Sequence, residues 1–184
     1  MRLFAMPVTP LHCSIAYLVN RWKSHLSLPA LLVSTMVPDL EIPFTYLLTG
    51  GLQHRLVLHS VLGAATLGTF LSVLSTIFLY PPVVSLFFKF NKEQVEEKCR
   101  FSGTLVVLCF VGILSHVFID SLHHEFNPVF YPFAKESFDA LILTNDWAFA
   151  TVIVTSVLLA LLIFFFVDEI RKGTKDFWMR MLVG

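Results

Sequence analysis

Residues 147–167 carry no charged side chain. About 20 mostly apolar residues suffice for a helix to cross a bilayer, and lipid offers the backbone no hydrogen-bond partner. Such a run is therefore a membrane-spanning helix. Two further stretches, roughly 56–80 and 101–119, pass the same length test. Composition agrees. The chain is 56% hydrophobic and 14% charged, where soluble domains carry about 25% charged residues. A soluble fold of this size leaves roughly 30% of its surface in water, and 13 basic and 13 acidic residues cannot cover it. Disordered and fibrous classes, and almost any cytosolic globular fold, are excluded. The charges balance, so there is no basic field and no nucleic-acid partner is expected. The partner surface is the lipid bilayer. Cys13, Cys99 and Cys109 are scattered and form no disulfide framework.

The N-terminal third is punctuated. Apolar runs at 11–19, 28–37 and 42–48 are short, and Pro7, Pro10, Pro38 and Pro43 interrupt them. Each is a half-membrane or interfacial helix, or together they make two more crossings. No cleaved signal peptide is expected, since only Arg2 supplies a charged start. The expected fold is an all-α integral membrane helical bundle with three clear spans and one or two further N-terminal membrane or half-membrane helices. Residues 1–184 form one domain, with 168–184 an interfacial tail. Basic residues set the orientation. Lys89, Lys92, Lys98 and Arg100 lie between the first two clear spans, and Arg171, Lys172, Lys175 and Arg180 lie in the tail. Only Lys135 lies between the last two spans. The basic loop and the C-terminus are therefore expected in the cytoplasm of a multi-pass inner-membrane protein.

On that map the histidines and acids collect at the opposite end. His54, Arg55 and His59 open the first clear span, His116 and Asp120 close the second, and Asp39 and Glu41 sit in the break before the first. His116 and Asp120, four residues apart, share one helix face. An imidazole and a carboxylate so placed can chelate Zn²⁺, and ionisable groups inside a span are costly and mostly functional. The alternative is a His–Asp hydrogen bond that locks two helices. His54 and His59 differ by about 140° on an ideal helix, so His54 belongs to the loop and His59 to the first turn, where both can face one pocket. Arg55 suits an anionic oxygen or snorkels at the membrane edge. Glu41 suits a general base or a cap. Thr9 is placed to cap a helix with His12 in its first turn. His123, His124 and Glu125 read as a loop, in which one histidine could ligate.

The motifs TPLH (9–12), PDLE (38–41), HRLVLHS (54–60) and SHVFID (115–120) together resemble the membrane-bound metal-dependent hydrolases of bacteria and archaea. The resemblance spans roughly residues 7–130. Leu56 stands where that family usually has Gly, and Glu41 where it often has Asp. The ligand order is also similar to that of the secreted zinc-dependent phospholipases C and nucleases. That likeness implies a helical multinuclear zinc site that cleaves phosphodiesters, with His12, Asp39, His54, His59, His116 and Asp120 as ligands; a mono- or dinuclear site is expected here. Later ligands of that group have loose counterparts in His123, His124 and Glu125. The expectation is a metal-dependent, zinc-type hydrolase for a phospholipid or other phosphoester at the extracytoplasmic boundary, with Asp39, Glu41 and Arg55 in catalytic roles. The alternative is a non-catalytic membrane protein whose His/Asp cluster is a structural or ion-binding network.

Overall fold

The computed structural model describes residues 9–23, 25–50 and 55–184, and every regular element among them is helical. A 3-10 turn, Thr9–His12, leads into α1 (Cys13–Trp22). Next come α2 (Leu28–Ser34), a 3-10 turn at Val37–Leu40, and α3 (Glu41–Leu48). The long α4 (Val61–Phe88) precedes the short α5 (Lys92–Lys98). Then follow α6 (Gly103–Ser121), α7 (Trp147–Arg171) and α8 (Phe177–Leu182).

Among the described residues, four stretches are long and apolar enough to span a membrane: Leu28–Leu48, Val61–Phe88, Gly103–Ser121 and Trp147–Arg171. The three expected spans are among them, with shifted ends. The first starts at Val61 because Ser60 caps it, its Oγ accepting from Gly63 N at 3.0 Å. That leaves 55–60 as turns rather than helix. It also runs beyond residue 80, through Pro81 and Pro82, to Phe88. A proline removes one N–H from the helix ladder, and the wide π segment Ser75–Leu79 just ahead accommodates the misfit. α7 continues past Val167 to Arg171 because Asp168 and Glu169 find cations: Arg21 and Lys172 for the first, Lys172 and Arg180 for the second.

The N-terminal third supplies the fourth candidate span in two pieces. The Ser34 and Thr35 hydroxyls donate back to Leu31 O (3.1 Å) and Leu32 O (3.0 Å), and Pro38 has no N–H to continue the helix. The chain therefore breaks at Val37–Leu40 and sets Asp39 in the break. α1 has 10 residues, about 15 Å of helix, half a bilayer core.

Between helices in lipid, close packing replaces the hydrophobic drive. α2 lies tightly on α6: a Cβ on Gly112 would fall 1.9 Å from Ser34 Oγ. Ala16, Leu28, Leu31, Leu105 and Cys109 form one buried cluster. Val37, Leu58, Ala64, Ile113 and Val117 continue it toward the break. Phe70, Phe78, Phe149 and Val152 face outward, as lipid contact requires. At one end Ser27 Oγ donates to Lys98 O (2.6 Å), Tyr17 Oη to Met181 O (3.0 Å) and Tyr80 Oη to Leu182 O (2.6 Å). These bonds draw α1, α2, α4, α5 and α8 together among the basic residues. At the other end Val61 N donates to Val129 O (2.9 Å) and Thr151 Oγ1 to His123 O (2.6 Å). They fasten the connection after α6 to α4 and α7.

Candidate metal centre

Two histidines are oriented through their Nδ1 atoms. His116 is fully buried on α6, and its Nδ1 lies 2.8 Å from Thr35 O in the broken segment. His59 sits in the turn before α4, not inside the helix, with Nδ1 3.4 Å from Glu41 Oε1. Both Nε2 atoms then face Asp39 and Asp120. His116 Nε2 is 3.5 Å from Asp39 Oδ1 and 3.3 Å from Asp120 Oδ2; His59 Nε2 is 3.5 and 3.6 Å from the same atoms. One donor from each of the four residues lies within 4.8 Å of all the others.

The donor set fits a divalent ion. His59 Nε2, His116 Nε2 and both oxygens of Asp39 and of Asp120 are buried without a hydrogen-bond partner. An unsatisfied buried polar group costs about 1–3 kcal/mol, more when charged. Four such residues converging on one point could hold a cation that would satisfy them. Charge agrees. Asp39, Glu41 and Asp120 are buried against one buried guanidinium, Arg55. With the histidines neutral, as metal ligands must be, two negative charges remain among the described residues, the complement of one divalent ion.

Asp120 also faces a second group. Its Oδ1 is 3.3 Å from His12 Nε2 and 3.4 Å from His124 Nε2. Its Oδ2 is 3.4 Å from Arg55 Nη2, which donates to His124 Nε2 at 2.9 Å. His123 Nδ1 donates to Ile119 O at 2.8 Å, and Asp120, His123 and His124 each have a donor within 4.8 Å of the others. The His12 and His116 rings stack with centroids 4.0 Å apart. Burial holds the His12 imidazole below its usual range, reinforced by the nearby His116. Burial likewise pushes His124 down to about 4.

Of the residues singled out by sequence, Asp39, Glu41, Arg55, His59, His116 and Asp120 meet at one place. His12 joins them from the end of the 3-10 turn before α1 rather than from the first turn of the helix. His54 lies outside the described residues. Glu41 is bound differently from a free base: its carboxylate accepts from Leu56 N and Leu58 N, and so fixes the turn that carries His59. His124 lies in the loop after α6, where the sequence allows one histidine to ligate. The signal for it was its spacing: His116, Asp120 and His124 recur every four residues, one stripe continuing past the helix end. Thr35 contributes through its carbonyl, which leaves no mark in a sequence.

One family model, described as YdjM inner membrane protein, matches residues 9–182. No curated protein and no solved structure matches the chain.

Proposed function

The chain belongs to the YdjM inner membrane protein family, and we propose that it is a metal-dependent hydrolase of that membrane, acting on a phosphoester or lipid-type substrate. The observation that carries the proposal is the set of unpartnered Nε2 and carboxylate atoms on His59, His116, Asp39 and Asp120. These atoms stand 3.3–3.6 Å from one another, wider than a good charge-assisted hydrogen bond and as far apart as ligands around one shared ion. Mixed imidazole and carboxylate donors suit Zn²⁺. Such an ion supplies Lewis acidity to an ester oxygen and makes water acidic near neutral pH.

The chain's own groups do the rest. Asp39 and Asp120 hold the ion and offer oxygens that accept a proton from attacking water. Arg55 holds an anionic oxygen of the substrate with its guanidinium. Glu41 positions Arg55 and His59 by gripping the turn between them. His12 supports Asp120. The side chains of Arg55 and His124, 10% and 13% exposed, are the most open of the group, so substrate approaches there. The basic residues Lys89, Lys98, Arg100, Lys172 and Arg180 lie away from the centre, and their excess supports a cytoplasmic C-terminus with the centre at the extracytoplasmic boundary.

The test is metal content and hydrolysis together. Purified protein should carry about one zinc per chain and cleave a phenyl phosphodiester or vesicle phospholipid. His116→Ala and Asp120→Asn should lose both. Stoichiometric zinc that persists in both variants rules out the ligand set. Zinc without cleavage of any phosphoester removes the hydrolase assignment and leaves an ion-binding protein.

A further inference from the structure

Among the described residues Asp120 is shared by two donor sets, and Arg55 already touches one of them. The first set is Asp39, His59, His116 and Asp120; the second is Asp120, His123 and His124. In the second set a positive charge is already in place. Arg55 Nη2 is 2.9 Å from His124 Nε2 and 3.4 Å from Asp120 Oδ2. The guanidinium thus touches two of the three members and uses the His124 lone pair a metal would need. Arg55 itself is 8% exposed, and its Nε is buried without a partner. It is held by its backbone surroundings: the next residue, Leu56, donates its N–H to Glu41.

We infer that Asp120, His123 and His124 form a second cation position that Arg55 fills, so that the centre takes one divalent ion while this charge is present and two when it is removed. The inference rests on the metal centre proposed above. Its basis is the charge count. Three buried carboxylates, Asp39, Glu41 and Asp120, are matched by one divalent ion and one guanidinium. A second divalent ion beside Arg55 would leave two uncompensated positive charges in a site where charge is expensive. Without Arg55, one divalent ion leaves a negative charge next to two imidazoles and a shared carboxylate, which is a workable cation site. A consequence for chemistry follows. The charge that would come from a second metal in a two-metal hydrolase comes here from a guanidinium, which binds an oxyanion through two parallel N–H donors.

The experiment is zinc stoichiometry of the full chain in detergent micelles, after saturation with Zn²⁺ and dialysis. Wild type should hold one zinc. Arg55→Gln and Arg55→Ala should hold two, and either suffices if the other fails to fold, as judged by helical circular dichroism. Arg55→Lys, which keeps the charge, should hold one. Arg55→Gln/His124→Ala should return to one. Two zincs in wild type, one in the folded charge-removing variants, or two in the double variant overturns the inference and leaves the first ion in place. No zinc in wild type overturns the metal centre itself.

Discussion

His116 Nδ1 donates to the carbonyl oxygen of Thr35 at 2.8 Å. This bond ties α6 to the broken segment that carries Asp39 and puts a proton on Nδ1, so that the neutral imidazole would turn its Nε2 lone pair toward Asp39 and Asp120. Oriented ligands depend on such outer contacts. His116→Ala removes the donor and the tie together. Zinc affinity should fall by more than the roughly 10–100-fold that loss of an outer contact alone costs. Zinc titration followed by competition with a chelator measures it, and unchanged affinity would remove His116 from the ligand set.

The same interface sets a steric test. A Cβ on Gly112 would lie 1.9 Å from Ser34 Oγ and 3.0 Å from Ser34 Cβ. Gly112→Ala must push α2 off α6, at a cost of about 1–3 kcal/mol by the rule for overpacked cores. Thermal melting in detergent should show it as a lowered Tm, with weaker zinc binding because Asp39 moves with α2. Gly103→Ala is the control: nothing lies within 4 Å of its Cβ position, so its melting temperature should hold or rise slightly.

The spans were legible because lipid imposes a length and a composition, and 147–167 met both. The break at Val37–Leu40 was legible in Pro38 for the same reason: a missing N–H leaves a trace in the sequence. What stayed hidden depends on contacts between distant parts. The start of α4 at Val61 depends on the Glu41 carboxylate gripping the backbone at Leu56 and Leu58, and no local pattern encodes a grip across fifteen or more residues. Asp39, His59, His116 and Asp120 were each visible as costly groups in apolar surroundings. Their meeting needed α2 to lie against α6 at Gly112, and a lone glycine in a span does not name its partner. His124 keeps the four-residue spacing from Asp120 although the helix ends at Ser121, so the stripe hints at it while its contact with Arg55 is set by the distant turn before α4.

Glu41 gives a prediction that separates positioning from catalysis. Its carboxylate accepts from two backbone N–H groups and faces His59 Nδ1 at 3.4 Å. Glu41→Gln keeps the shape and loses the charge, so the turn loosens and His59 loses its orienting partner. Zinc affinity should fall by about 10–100-fold, the usual cost of an outer-shell carboxylate. Unchanged zinc affinity with a hydrolysis rate reduced by about 10²–10⁴, the usual contribution of a general base, would instead make Glu41 a base.

His124 sets a pH dependence whose sign is fixed. Burial lowers its imidazole from the ordinary 6.5 to about 4, and the Arg55 guanidinium adds to the effect by disfavouring a second positive charge. Between those values the unfolded chain binds a proton that the folded chain does not, so folding stability falls as pH drops through this window. Above pH 6.5 the group contributes nothing to the slope. By pH 4 its share of the loss is about 3 kcal/mol, at roughly 1.4 kcal/mol per pH unit. Metal-free wild type in detergent should therefore lose more melting temperature between pH 6.5 and 4 than His124→Asn, which has no proton to take up and can still accept from Arg55. Equal losses in the two proteins would place the acid sensitivity on other groups and remove the neutral His124 that Arg55 needs as its acceptor.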